Sequence, residues 1–400
     1  MHYAFIIDDY LPDSTRVGAK MLHELALEFI SLGHQVTVIT PNIKANAAKL
    51  VVNELDGVSV WRFANGPVKD VGKIKRAINE TLMSFNAWRA IASRINKSSF
   101  DGVIYYSPSI FFGTLVKKIK KKCHCRSYLI LRDLFPQWAI DAQIITEKSV
   151  ITRYFRFFES RSYNVADTIG LMSQKNHQLF NALHPQLLNT EVLFNWASTI
   201  PVSVSPKSES IRITLGLSNK VIFFYGGNIG HAQDMTNLMR LAKGLKNFPK
   251  AHFLFIGQGD EVELIETLSD NWSLDNVTIL PSISQSQFKK VLAEVDVGLF
   301  SLAKNHTAHN FPGKILGYMV ESLPILGSVN IDNDLQDIIN KANAGNVFIN
   351  GEDEKLLLHA KMLLNDSMSR TEQGRSAYQL LKEKFSVEAA SQNILKSLSN

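Results

Sequence analysis

The stretch HTAHNFPGKILGYMVESLPILG, residues 306–327, places chemically capable groups at a strand–loop–helix junction. VGLFSL (297–302) reads as a buried strand, AKNHTAHN (303–310) as a polar loop, and FPGKILGYM (311–319) as a helix start with Pro312 in its first turn. A helix start offers unpaired N–H groups and the positive end of the dipole, and Lys314 adds a full charge beside them. Such a junction suits a departing diphosphate, on which negative charge grows as its bond breaks. Lys314 is therefore the first candidate for catalysis and, with Gly313, for holding a phosphate.

Four other turns carry candidate groups. In VIFFYGGNIGHAQD (221–234) a strand runs into Gly226, Gly227, Asn228 and Gly230, with a helix expected from Gln233 or Asp234. Glycines let a backbone approach an anion closely, although a tight strand-to-helix turn needs them too. The spacing is not G-x-G-x-x-G, and no such pattern follows the first strand, which argues against a nicotinamide dehydrogenase. FLFIGQGDEVELI (253–265), with Gly257 and Gly259, and TILPSISQSQFKKVL (278–292) either wall a flat nucleobase or serve as plain connectors. In DDYLPDSTRVGAK (8–20), Gly18 opens a helix to a phosphate or sugar and Arg16 adds charge; a surface loop is the alternative. YLILRDLFPQWAID (128–141) ends a strand in Arg132–Asp133, followed by Phe135 and Trp138. Polar groups beside aromatics suit an acceptor sugar ring, and an Arg–Asp ion pair closing the loop is the other reading. Asp133 either takes a proton as a base or orients the acceptor.

The elements that must position these residues alternate. Strand-like runs fall at 3–7, 35–40, 58–63, 102–106, 126–131, 167–172 and 191–194, then at 221–225, 252–257, 277–280, 297–302, 324–327 and 346–349, with helical periodicity between nearly all of them. That predicts an α/β chain of two doubly wound, Rossmann-like domains. The Ser- and Pro-rich NWASTIPVSVSPKSESIR (195–212) lacks periodicity and reads as the linker. Ligands of open parallel sheets sit at the carboxyl ends of the strands, so the two domains are expected to face a central cleft.

Composition narrows the classes. The chain has 400 residues, 45% hydrophobic and 20% charged, which is ordinary for a globular protein. A net charge of +6 points to acidic ligands or an anionic surface and is too weak to indicate nucleic acid. Cys123 and Cys125 are too close for an easy disulfide and too few for a structural zinc site, and no metal-ligand spacing occurs elsewhere. Reduced thiols, no signal peptide and no spanning segment are expected. Residues 69–97 and VKKIKKKCHCR (116–126) are strongly basic. Ile74, Ile78, Leu82, Phe85, Trp88, Ala92 and Ile95 recur at helical spacing and are expected to pack on their own sheet, while the charge docks on an anionic membrane.

Taken together, LALEFISLGHQVTVIT, YGGNIGHAQDMTNLMRLAKGL, FLFIGQGDE, VLAEVDVGLFSL and FPGKILGYMVESLPILGS resemble the GT-B glycosyltransferases of the large family-4 retaining group, from residue 18 to about 327. FPGKILGYMVESLPILGSVN is most similar to bacterial O-antigen or capsule enzymes that transfer N-acetyl-L-fucosamine from its UDP form. The resemblance implies an acceptor-binding domain at 1–196, a nucleotide-sugar-binding domain at 197–375 and a helix at 376–400 crossing back to the first. It implies phosphates at Gly227–Gly230 and Gly313–Lys314, uracil near Gly257 and Ile283, no metal or other cofactor, and a polyprenyl-diphosphate-linked acceptor. It also implies a cytoplasmic enzyme held at the inner face of the cell membrane. Two departures stand out. Where the family has two glutamates eight positions apart this chain has His309 and Gly317, and the family's Arg and Lys after the Gly-rich turn are replaced around His231 and Gln233. Glu321 lies one turn past Gly317, roughly 5.4 Å further along the helix. With Asn310 and Phe311 it is among the candidates for the donor contacts. Two alternatives stay open: a UDP-sugar 2-epimerase of similar fold, and a non-catalytic nucleotide-sugar-binding subunit.

Overall fold

A computed structural model describes residues 1–14, 16–43, 48–68, 71–141, 143–201, 210–304 and 312–399. The chain divides into two compact units, Met1–Phe194 with Val387–Asn400, and Asn195–Ser386.

The first unit runs β1 (His2–Ile6), α1 (Val17–Ser31), β2 (Gln35–Asn42), β3 (Leu50–Leu55), β4 (Val58–Ala64), α2 (Lys73–Ile91), β5 (Gly102–Ser107), α3 (Gly113–Cys123), β6 (Arg126–Leu131), α4 (Gln137–Asp141), α5 (Val150–Val165), β7 (Thr168–Leu171), α6 (Gln174–Leu183) and β8 (Thr190–Val192). Its sheet has the order β3-β4-β2-β1-β5-β6-β7-β8. All neighbours are parallel except β3 and β4. That hairpin turns at Asp56 and Gly57, whose φ angles of 51° and 80° match the hand a two-residue hairpin requires. β5 is buried along its whole length, as expected of a strand covered on both faces. β1 lies between β2 and β5, so the strand order reverses there and the carboxyl ends of β1 and β5 open a crevice.

The second unit runs α7 (Ile211–Thr214), β9 (Val221–Asn228), α8 (Met235–Gly244), β10 (Ala251–Gln258), α9 (Val262–Asn271), β11 (Val277–Pro281), α10 (Gln285–Leu292), β12 (Val297–Ser301), α11 (Gly313–Val320), β13 (Ile325–Val329), α12 (Asp334–Lys341), β14 (Gly345–Ile349), α13 (Asp353–Asn365) and α14 (Ser367–Leu380). Its all-parallel sheet has the order β11-β10-β9-β12-β13-β14. The reversal falls between β9 and β12, and the chain leaving those two strands carries the Gly226–Gly230 turn and the segment that enters α11.

The last helix, α15 (Val387–Ser399), is part of the first unit, where it packs on α1 and β6. Ser397 donates to the Glu191 carboxylate at 3.0 Å. The return therefore begins later than the expected 376. Residues 376–386 stay with the second unit because α14 packs closely on α11, and Ala197 N–H donates to the Phe385 carbonyl at 2.9 Å.

One expectation about the first unit holds only in part: Ile95 is buried in its core and Trp88 packs against it, but the rest of the large apolar stripe does not. The face of α2 that packs on the sheet is Met83, Ala87, Ala90 and Ile91, whose small alanines let the helix approach. Ile74, Ile78, Leu82 and Phe85 stand on the solvent side, 44–80% exposed. Among the described residues no helix is long and apolar enough to cross a membrane.

Ile394 of α15 is fully buried in the first unit. Ile394→Ala is expected to destabilise that unit by about 2–4 kcal/mol, read as an earlier thermal transition; an unchanged melting curve would show that α15 contributes nothing to it.

Candidate functional site

At the reversal point of the second unit, β9 ends in Tyr225, Gly226, Gly227 and Asn228. Gly227 has φ 116°, a conformation that a side chain resists. A Cβ built on Gly257 of the adjacent β10 would lie 1.9 Å from the Gly227 carbonyl oxygen, so Gly257 is required for the two strands to run together here. The two glycines brace the turn.

Lys314 reaches this turn from the first residues of α11. Part of its stem meets solvent, yet its ammonium nitrogen is buried and has no hydrogen-bond partner among the described residues. It lies 3.4 Å from the centroid of the Tyr225 ring. A Cβ on Gly227 would be 3.9 Å from it. Burial pushes the Lys314 pKa well below the ordinary lysine value. The α11 N-cap, Pro312, makes no side-chain capping bond. A buried ammonium, a helix start without a side-chain cap and a glycine turn thus meet in one place and complement an anion.

The helix start after the Gly-rich turn is different. A 3₁₀ turn (His231–Gln233) and left-handed Asp234 precede α8, and the Met235 N–H donates to the Glu261 carboxylate at 3.1 Å. Glu261 also lies 3.5 Å from His231. An anion drawn to α8 would meet this carboxylate, so the favourable side of the turn is that of Lys314. Gly230 packs beside Asp260 and Asn228, and Asn228 donates to Gln233 at 2.7 Å.

Gly317 is filled from outside. A Cβ there would come within 3.1 Å of Leu292, and one on Gly226 within 2.3 Å of Phe288. Both neighbours belong to α10, which therefore lays an apolar edge where a carboxylate was sought. Glu321 is the C-cap of α11 and lies at the far end of that helix from Lys314. Ile283 is half-buried between β11 and α10, and Gly313 has open space around its Cα. His309, Asn310 and Phe311 lie outside the described residues. Among the described residues no group of three or more His, Cys, Asp or Glu is placed to hold a metal ion.

In the first unit, Gly18 begins α1 against the Tyr106 ring; a Cβ there would lie 2.9 Å from the phenol oxygen. Asp8, Tyr106 and Asp133 follow or end the adjacent strands β1, β5 and β6. Asp133 is exposed, and desolvation by its surroundings raises its pKa against the opposing pull of Arg132. Arg132 requires a correction. It was expected to meet an acceptor, but its guanidinium is buried and donates to the carbonyls of Leu193, at 2.5 Å, and Phe194, at 3.3 Å. It holds the segment after β8. Phe135 packs edge-on to Phe155 at 4.7 Å, and Trp138, its ring 5.9 Å from that of Phe135, is 49% exposed. Tyr225, Glu261, Phe288 and Leu292 escaped sequence reasoning, since in sequence each is an unremarkable member of its strand or helix.

Residues 207–380 match the family model of glycosyl transferases group 1. A probable glycosyltransferase of Pseudomonas aeruginosa, WbjE, is 23% identical over 218 residues, 54% of this chain and 54% of that protein; the match spans about half of the relative's length. A putative colanic acid biosynthesis glycosyl transferase of Escherichia coli K12, WcaI, is 22% identical over 326 residues, 77% of this chain and 78% of that protein. The crystal structure of Anabaena Alr3699/HepE in complex with UDP superposes with a TM-score of 0.67 at 14% identity, covering 100% of both chains. Two doubly wound units of this topology, with that fold match, define the GT-B architecture of glycosyltransferases. More particularly, the stretch similar to glycosyl transferases group 1 falls inside the second unit, and Lys314, Gly227 and Gly257 lie within that stretch.

The depressed Lys314 pKa fixes a sign. Between the native value and the ordinary 10.5, the unfolded chain binds more protons than the native one, so stability rises with pH across that window. Lys314→Met is expected to raise the melting temperature of the ligand-free protein at neutral pH by roughly 2–4 °C and to flatten that alkaline rise. Calorimetry across pH checks both, and a variant less stable than the wild type would show the ammonium to be satisfied already.

Proposed function

We propose that this chain transfers a sugar from a UDP donor to a polyprenyl-diphosphate-linked saccharide during O-antigen or capsule assembly, with N-acetyl-L-fucosamine as the sugar. The observation that carries the reading is the buried Lys314 ammonium, without a hydrogen-bond partner among the described residues and set beside the Gly227 turn. As the anomeric carbon–oxygen bond breaks, charge grows on the leaving diphosphate. A desolvated ammonium and a helix start stabilise that charge more than they stabilise the intact donor. The new bond joins an acceptor hydroxyl oxygen to the anomeric carbon, and the hydroxyl proton passes to the leaving diphosphate or to Asp133. Trp138 offers an aromatic face to the acceptor ring. No metal is needed for leaving-group charge that Lys314 and α11 already meet.

The relatives support the setting, since one bears a colanic acid biosynthesis name, and a structural neighbour was solved with UDP. The absence of the usual carboxylate at Gly317, where Leu292 packs instead, implies that the donor's hydroxyls are held differently from the rest of the family. The enzyme works at the inner face of the cell membrane, drawn there by the basic surface of the first unit.

A panel of UDP-sugars, including UDP-N-acetyl-L-fucosamine, assayed with a lipid-linked GlcNAc acceptor tests the reading. Transfer from that donor, and a loss of about 100-fold or more in kcat for Lys314→Ala with the fold intact, are expected. Wild-type turnover in Lys314→Ala would overturn the role of the ammonium. UDP-sugar binding without transfer from any donor would make the chain a non-catalytic subunit, and isomerisation of the nucleotide sugar alone an epimerase.

A further inference from the structure

In the first unit α2, α3 and α5 pack together on one face of the sheet, and Gly113 at the start of α3 lies so close to α5 that a Cβ would touch the Arg161 backbone at 2.7 Å. The groove between α3 and α5 has a volume of about 610 Å³. Thr114, Lys117, Lys118, Lys121, Arg161 and Asn164 line it, and among the described residues no carboxylate does. Lys120 is committed to Asp167 at 2.6 Å. Lys117, Lys121 and Arg161 have exposed side chains, and among the described residues no Asp or Glu pairs with them. Nothing in the transfer reaction uses this groove.

Its surroundings are apolar and wet at once. α2 and α5 meet where Thr81 and Tyr154 share a hydrogen bond. On either side of that junction Ile78 and Phe85 on α2 and Ile151 and Phe157 on α5 are 50–56% exposed. Arg161 stacks on Phe157 at 4.5 Å, which joins the basic groove to this apolar ridge. Cations in a groove attract phosphate, but a free phosphate would leave the ridge in water. A phospholipid satisfies both, its phosphate against the lysines and its glycerol and upper acyl region against the exposed rings. We infer that the α3–α5 groove seats the phosphate of an anionic phospholipid headgroup, with the apolar side chains of α2 and α5 entering the headgroup–acyl boundary. The inference deepens, and rests on, the membrane-facing part of the proposed function. It adds a discrete headgroup site to what would otherwise be diffuse charge attraction.

The test uses vesicles of phosphatidylcholine with and without phosphatidylglycerol, and the full chain in three forms: wild type, Lys117→Gln/Lys121→Gln/Arg161→Gln, and Phe85→Ser/Phe157→Ser. Wild type is expected to sediment with the phosphatidylglycerol vesicles only. Each variant should bind them more than about tenfold more weakly, while sugar transfer to a water-soluble acceptor and the melting temperature stay unchanged. If the charge variant binds like wild type while the Phe variant does not, the groove assignment is wrong and peripheral binding survives. If wild type ignores both vesicles, both readings of the membrane fall, although transfer to the soluble acceptor still stands. Binding of glycerol 3-phosphate to wild type but not to the charge variant, with no vesicle binding, would assign the groove to a free phosphate and overturn the lipid.

Discussion

The Lys314 ammonium lies over the Tyr225 ring and beside the Gly227 turn, where water does not reach it. An ammonium without solvent or a carboxylate is costly, and the aromatic face returns only part of that cost. The fold tolerates this because the surrounding contacts leave little freedom. Gly257 locks the Gly227 carbonyl against the neighbouring strand, and Phe288 closes over Gly226. Tyr318 of the same helix donates to the Leu299 carbonyl at 2.9 Å, which fixes α11 to β12. The unit thus holds a charge ready for a ligand at the expense of its own stability, the usual compromise at a preorganised site.

Much of this could be read from residue patterns, and what could not follows physical lines. Thirteen of the strands announce themselves as apolar runs, most of them because a parallel strand inside a sheet is buried on both faces, although β8 and β11 at the sheet edges hold no buried residue. β3 does not, since it is an edge strand whose middle is exposed, and its signal was the Asp56–Gly57 pair rather than its hydrophobicity. Pro312 and Lys314 are local signals and lie where a helix start would place them. Arg132 looks like a ligand contact because sequence cannot tell an arginine facing a cleft from one holding its own backbone. The four large apolar residues from Ile74 to Phe85 turned out exposed for a related reason. Helical spacing shows that large apolar residues share a face, but not whether that face or the smaller Met83–Ala87–Ala90–Ile91 face meets the sheet.

Contacts between residues distant in sequence were the least visible. Glu261 occupies the first N–H of α8 from the following strand–helix connection, and Leu292 occupies the space beside Gly317 from the preceding helix. Each changes what its neighbour can bind. The first closes one helix start to phosphate and leaves the other open; the second exchanges a hydrogen-bonding position for a greasy one. A motif read alone sees neither contact, whereas the packing decides what each position can hold.

The placement of α15 in the first unit has a consequence for biogenesis. That unit's sequence is interrupted by the entire second unit, and its closing helix is made after that unit. On the ribosome the strands β1 to β8 emerge before the second unit and wait, with the α15 surface of α1 and β6 uncovered, until the second unit has been made. The second unit, continuous in sequence, can complete itself first. Of the two units, the one begun first is therefore the one completed second, and during that interval the apolar surface that α15 will cover stays bare.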